Sequence, residues 1–167
     1  MDRQGNRINT VIWRIMMKIR EFIDDYDDDE EDEPNYDDLP SIKDAEALRP
    51  LLANAAQQIY DKWDEEDIDT YAGGGICHYI ADAFVDILYS RLHLNCQSVT
   101  SSHEQHVYVA AQFQEGVYVI DLHHSNYETG GGFSWKKIPD VEIDPQDITF
   151  YRYSANPGDF DEYVGDY

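Results

Sequence analysis

Apolar residues recur at helical spacing in three stretches of the chain. The first stretch, residues 8–23, places them on one stripe of a helix, at Ile8, Ile12, Ile15, Met16, Ile19, Phe22 and Ile23. The second covers residues 43–63, where Pro50 favours a main helix that begins near Arg49. The third covers residues 76–92. The pattern predicts three amphipathic helices, the first of which docks on the domain's own core or else serves a partner, a membrane surface or a functional site that it covers.

Beyond residue 95 the pattern changes to period two, with β-branched and aromatic residues at alternate positions. Such alternation is typical of strands. The predicted strands are residues 96–101, 106–113, 117–124 and 147–153, and the short connection "QEG" joins the second and third of them as a hairpin. Helices followed by strands place the chain in the α+β class.

Acidic residues dominate the charge of the chain. The formal net charge is -23, and residues 21–38 hold twelve carboxylates and no basic residue. Like charges at this density resist compaction, so residues 24–40 are predicted to be a solvated acidic linker, with a functional acidic arm as the alternative. An acidic surface repels phosphates, and direct binding of nucleic acid is therefore not expected.

The length of the chain and its cysteine content limit the possible domain organisation and compartment. A chain of 167 residues is long enough for one domain, which we place at residues 41–153, after the helix of residues 1–23 and the linker. Residues 154–167 show no periodicity and are predicted to be a flexible acidic tail. Two cysteines are too few for a disulfide scaffold and are consistent with a reducing compartment. No apolar stretch is long enough to span a bilayer, so we predict a cytoplasmic protein.

Cys77 is the candidate nucleophile. It follows the glycines of "GGGICHYIADAF" at the start of the third helix, where the helix dipole favours a thiolate. A thiolate needs a base that works near neutral pH, and His106 opens the second strand. Asp121, in the third strand, can fix the tautomer of that histidine. Cys96 lies within a predicted strand and is expected to be structural.

The hairpin register decides whether this triad is feasible. If Gln114 and Glu115 form a two-residue turn, His106 and Asp121 lie one diagonal step apart on the same face of the sheet. If "QEG" is a three-residue loop, the two side chains point to opposite faces. In that case the third member is His123, His124 or Asn126, or there is no triad.

The motifs "GGGICHYIADAF", "HVYVAAQF", "EG" and "VYVIDL" span residues 73–124, less than a third of the chain. In this order they resemble the papain-like cysteine enzymes, specifically the transglutaminase-like branch. The resemblance implies an antiparallel sheet packed on the cysteine-bearing helix and acyl transfer through a thioester. The implied reactions are peptide or isopeptide hydrolysis, glutamine deamidation and transamidation. By position, Cys77 would be the nucleophile, His106 the general acid/base and Asp121 the orienting residue.

Substrate contacts are expected around the same elements. Gly74 and Gly75 line the start of the helix, Tyr108 stands where the family usually has tryptophan, and His123 follows the aspartate strand. The glycine-rich loop of residues 127–135 is the candidate for a substrate-contacting flap, through Tyr127 and Trp135, with an ordinary surface loop as the alternative. The substrate would be a protein or a peptide, and no cofactor is expected.

Two other hypotheses remain open at this point. Histidines of "HEQH" and "HH" could form a zinc site, at His103, His106, His123 and His124. Alternatively, the protein is a non-catalytic acidic inhibitor or nucleic-acid mimic of papain-like shape that binds the basic surface of a partner protein. We predict the enzyme, with no metal.

Overall fold

The computed structural model describes residues 35–63, 75–101, 106–128 and 136–165. The predicted N-terminal helix, residues 1–23, lies outside these ranges, as does most of the predicted linker, residues 24–40. The segment Tyr36–Tyr167 forms one compact unit.

Helices occupy the first half of the described chain, as the apolar spacing predicts. The helices are α1 (Ile42–Glu46), α2 (Arg49–Lys62), α3 (Ile76–Leu92) and, near the end, α4 (Phe160–Gly165). Pro50 lies in the first turn of α2, where its missing N–H costs nothing. None of the helices in the described ranges combines the length and the apolar character needed to cross a membrane.

Within the described ranges, the strands form a four-stranded antiparallel sheet and a short two-stranded ribbon. The sheet contains β1 (Cys96–Ser101), β2 (His106–Phe113), β3 (Gly116–Leu122) and β6 (Ile148–Ser154), in the order β1-β2-β3-β6. The ribbon pairs β4 (Tyr127–Glu128) with β5 (Lys136–Lys137). This arrangement confirms the predicted α+β class.

Alternating side chains of the sheet build two apolar clusters. The larger cluster joins the helices α1, α2 and α3 to one face of the sheet, through residues such as Phe84, Val109 and Ile120. The smaller one lies on the other face and includes Ala110, Val117, Phe160 and Tyr163. Successive side chains of a strand point to opposite faces of the sheet, so a strand of this sheet can bury side chains in both clusters.

The end of the chain differs from the sequence prediction. Residues 154–167 were expected to form a flexible tail, but β6 continues through Ser154 and α4 follows. Phe160 and Tyr163 are buried on the sheet face opposite α3. Asn156 caps the 3-10 turn before α4 by accepting a hydrogen bond from the N–H of Gly158. Burial of two aromatic side chains offsets the entropy cost of ordering this segment.

The hairpin between β2 and β3 has the two-residue turn. Phe113 pairs with Gly116, which leaves Gln114 and Glu115 in the turn. Gly116 has φ +140°, and a Cβ there would lie 1.9 Å from the carbonyl oxygen of Ser154. Only glycine combines this conformation with so close an approach to the neighbouring backbone.

Glu115 ties this turn to the start of α1. Its carboxylate accepts hydrogen bonds from the Ser41 hydroxyl at 2.5 Å and from the Ile42 N–H at 2.9 Å. Burial raises the pKa of Glu115, but the hydrogen bonds from Ser41 and Ile42 outweigh it and lower the pKa.

We expect Glu115→Gln to destabilise the protein by about 1–2 kcal/mol, because an amide cannot accept both hydrogen bonds as a carboxylate does. Urea unfolding at pH 7 measures the change. The matched control is Glu46→Gln, which removes an exposed carboxylate 3.8 Å from Arg49 and should change stability by less than about 0.5 kcal/mol. Equal effects of the two substitutions would contradict the role of Glu115.

Candidate active site

Cys77 lies in the first turn of α3. Gly75, the residue before the helix, has extended backbone with φ -64° and ψ 178°, and no side chain caps the first turn. The first N–H groups of a helix lack acceptors within the helix, so they favour negative charge close to them. The Cys77 side chain is buried in the larger apolar cluster, with 4% of its surface exposed.

His106 and Asp121 form a hydrogen-bonded pair across β2 and β3. With Phe113 opposite Gly116, the register puts the two residues one diagonal step apart on the same face. The Nε2 atom of His106 lies 2.6 Å from Oδ2 of Asp121. This confirms the two-residue turn and removes the alternative register, in which the two side chains would have pointed apart.

The same histidine also interacts with Cys77. Hydrogen bonding to Cys77 and the negative charge of its sulfur are among the causes that raise the pKa of the imidazole. Nε2 is engaged by Asp121, and Nδ1 is buried. The imidazole therefore interacts with both the carboxylate and the thiol.

The charge state of His106 follows from this placement. Burial alone lowers the pKa of His106, but the hydrogen bonds to Asp121 and Cys77 and the negative charge of both groups raise it to about 9. The imidazole is therefore protonated at neutral pH. A protonated imidazole stabilises negative charge on a neighbouring sulfur.

The second cysteine has none of these partners within the described chain. Cys96 lies in β1, and its thiol donates to the carbonyl oxygen of Val85 at 3.9 Å. Burial and the nearby charge of Asp86 raise the pKa of Cys96 to about 11. These surroundings agree with the structural role predicted for it.

Tyr127 was predicted to contact substrate from a glycine-rich flap, and the structure places it in a buried position beside His106. Its side chain is 4% exposed, and its ring meets that of His106 edge to face, with centroids 5.6 Å apart and an interplanar angle of 71°. The physical reason is the 3-10 turn His124–Asn126, which turns the chain back toward the core after β3. The sequence contains no periodicity over these few residues that could predict the turn.

Tyr108, another predicted substrate residue, is half-buried and bonded to the C-terminal helix. Its hydroxyl lies 2.8 Å from the hydroxyl of Tyr163 in α4. Its ring is tilted against that of His106 at a centroid distance of 6.3 Å. Tyr108 therefore supports the histidine from the strand.

The other residues predicted to contact substrate are Gly74, Gly75, His123 and Trp135. Gly75 caps α3 beside Cys77, as expected from the glycine run. His123 follows β3, and its Nδ1 bonds the Ser125 hydroxyl at 2.7 Å. Gly74 and Trp135 lie outside the described residues.

The histidine-based metal hypothesis has no assembled ligand set in the described ranges. No group of three or more histidine, cysteine, aspartate or glutamate side chains there has the spacing of a metal site. His123 and His124 stack on each other with centroids 4.1 Å apart, while His106 faces Asp121. His103 lies outside the described residues.

Comparison with known proteins adds no assignment to this site. No protein-family model, no curated protein and no solved structure matches the chain.

Proposed function

We propose that this protein is a cysteine-dependent acyl-transfer enzyme that acts on amide bonds of a protein or peptide. The observation that carries the proposal is the chain of contacts from Cys77 through His106 to Asp121, with the histidine 2.6 Å from the carboxylate. A helix-borne cysteine, a histidine that opens a strand and an aspartate on the adjacent strand also support a papain-like, transglutaminase-like core.

The first chemical step is acylation of the enzyme. The Cys77 thiolate attacks the carbonyl carbon, so a carbon–sulfur bond forms while the carbonyl π electrons move to oxygen. The protonated His106 then gives its proton to the leaving nitrogen as the carbon–nitrogen bond breaks. An amine or ammonia departs, and a thioester on Cys77 remains.

The second step returns the enzyme to its starting state. Neutral His106 takes a proton from the acceptor, which attacks the thioester carbonyl, and the carbon–sulfur bond breaks to release the thiolate. Water as acceptor gives hydrolysis or glutamine deamidation, whereas an amine gives transamidation. Asp121 holds the imidazole through both steps and stabilises its protonated form.

The helix start supplies a second electrostatic contribution. The backbone N–H of Cys77 belongs to the first turn of α3, where N–H groups have no acceptor within the helix. An oxyanion that forms at the substrate carbonyl next to the sulfur can accept a hydrogen bond from this N–H.

The experiment that tests the proposal compares the two cysteines in one protein. Native protein is alkylated with iodoacetamide between pH 5 and 9, and the modified peptides are quantified by mass spectrometry. We expect Cys77 to react already near pH 6, because the imidazolium stabilises its thiolate. Cys96, whose pKa is raised to about 11, should stay unmodified throughout and serves as the internal control. A Cys77 that reacts only after unfolding would refute the proposal.

A second candidate function rests on the charge of the domain itself. Residues 39–167 contain 22 acidic and 7 basic residues, apart from the acidic run that precedes them. Such a surface suits binding to a basic partner protein without catalysis. Cys77→Ala separates the two functions, since it abolishes acyl transfer and leaves binding of a basic protein unchanged.

A further inference from the structure

We propose that Tyr127 is a positioning residue that holds the His106 imidazole between Cys77 and Asp121 and keeps water from their hydrogen bonds. The inference rests on the proposed function, because orientation of this ring matters only if it transfers protons. Tyr127 does not contact the reacting atoms in this role; it acts through His106.

The backbone around Tyr127 is held on both sides. Before it, the backbone N–H and side-chain amide of Asn126 both donate to the carbonyl oxygen of His123, at 3.0 and 3.2 Å. The N–H of His123 in turn donates to the carbonyl oxygen of Asp147 at 2.7 Å. Tyr127 itself pairs with Lys137 in the ribbon. The hydrogen-bonded turn and the paired strand thus hold the Tyr127 ring beside His106.

Two tyrosine rings flank the imidazole. Tyr127 meets it edge to face at 5.6 Å, and Tyr108 is tilted against it at 6.3 Å. Edge-to-face packing of this kind favours one ring orientation. The orientation matters because rotation of the imidazole would break the hydrogen bond between Nε2 and Asp121 and change the interaction with Cys77.

Burial and charge define the surroundings of the Tyr127 hydroxyl. Burial, and then the negative charges of Asp121 and Cys77, raise the pKa of Tyr127 well above its usual value. The phenol therefore remains neutral over the working pH range and adds no charge beside His106. A neutral, buried aromatic wall keeps the local dielectric low, which strengthens the hydrogen bond between His106 and Asp121.

A double-mutant cycle on Cys77 alkylation tests this role. In the wild-type background, Tyr127→Leu should slow alkylation of Cys77 at pH 7 about tenfold, whereas Tyr127→Phe, which keeps the ring, should change it by less than about twofold. In the His106→Asn background, Tyr127→Leu should have no effect beyond about twofold. A structural role that merely alters access to Cys77 would change the rate equally in both backgrounds and would overturn the inference.

A second measurement does not depend on reactivity. The solvent exchange rate of the His106 ring proton at Nε2 is measured by NMR in wild type, Tyr127→Leu and Phe113→Leu. Phe113 is a buried aromatic residue at the far end of β2, so its replacement matches the loss of core volume. We expect exchange about tenfold faster in Tyr127→Leu only. Equal acceleration in both variants, or none in Tyr127→Leu, would contradict the positioning role.

The two measurements separate the inference from the proposed function. If His106→Asn alone leaves alkylation of Cys77 unchanged, the proposed nucleophile fails. The exchange rate then still decides whether Tyr127 holds the imidazole. If His106→Asn slows alkylation but Tyr127→Leu does not, the proposed function stands and the role of Tyr127 is refuted.

Discussion

Replacing His106 with asparagine is expected to slow alkylation of Cys77 at pH 6.5 about 100-fold, because a thiol without a protonated partner is mostly neutral and unreactive at this pH. In the wild-type protein, the hydrogen bonds and charges of Asp121 and Cys77 raise the pKa of His106 to about 9, so the partner is protonated there. The rate is measured with iodoacetamide by intact mass and peptide mapping.

Two further variants make the result specific to the imidazole. Asp121→Asn keeps the size of the side chain but removes its charge, so alkylation should slow by an intermediate factor, about tenfold. His123→Asn is the matched control, because this histidine bonds Ser125 and not Asp121. Its rate should equal that of the wild type. If His123→Asn and His106→Asn had the same effect, the pairing of Cys77 with His106 would be wrong.

In a Cys77→Ala background, which removes the thiol that gives up its own proton to the pair, folding stability is expected to fall as pH rises from about 6.5 to 9. His106 has a folded-state pKa of about 9, raised from an ordinary value of 6.5. The folded state therefore binds the proton more tightly than the unfolded state, and the stabilisation is complete below pH 6.5. It is lost as the pH passes through 9. The loss is up to about 3 kcal/mol, since each pKa unit corresponds to about 1.4 kcal/mol.

Denaturant unfolding of Cys77→Ala and of the double variant Cys77→Ala/His106→Asn at pH 6, 7, 8 and 9 measures this loss. The Cys77→Ala curve should decline over the interval, while the double variant should change little, because it lacks the proton-binding group. The difference between the two curves isolates His106 from the other titrating groups. Parallel curves would show that folding does not raise the pKa of this histidine.

Long periodic stretches of the sequence predict the observed elements well. The apolar spacing over residues 76–92 predicts α3 with the bounds that the structure shows, and the alternation over residues 106–113 predicts β2. Both patterns repeat often enough to specify an element locally. The short helix α4 was missed because its six residues make fewer than two turns. Its order comes from burial of Phe160 and Tyr163 on the sheet.

The local sequence pattern could not predict the hairpin register. The sequence allowed either a two-residue or a three-residue turn, and one residue of slip reverses the face of every side chain. The positive φ of Gly116 and its close approach to Ser154 of β6 belong to the two-residue turn. That contact joins positions distant in sequence, so no inspection of "QEG" alone could decide between the turns.

The sequence by itself determined that Cys77 starts a helix, that His106 opens a strand and that Asp121 lies in the next one, because helix and strand periods are local properties. Only the tertiary structure decided that His106 and Asp121 come within 2.6 Å, that the histidine also reaches Cys77, and that Tyr127 is a buried neighbour of its ring. These outcomes depend on register, on a turn after β3 and on packing between distant segments. The distant segments come together because folding buries apolar surface. That gain in free energy depends on the whole domain, so no short motif encodes it.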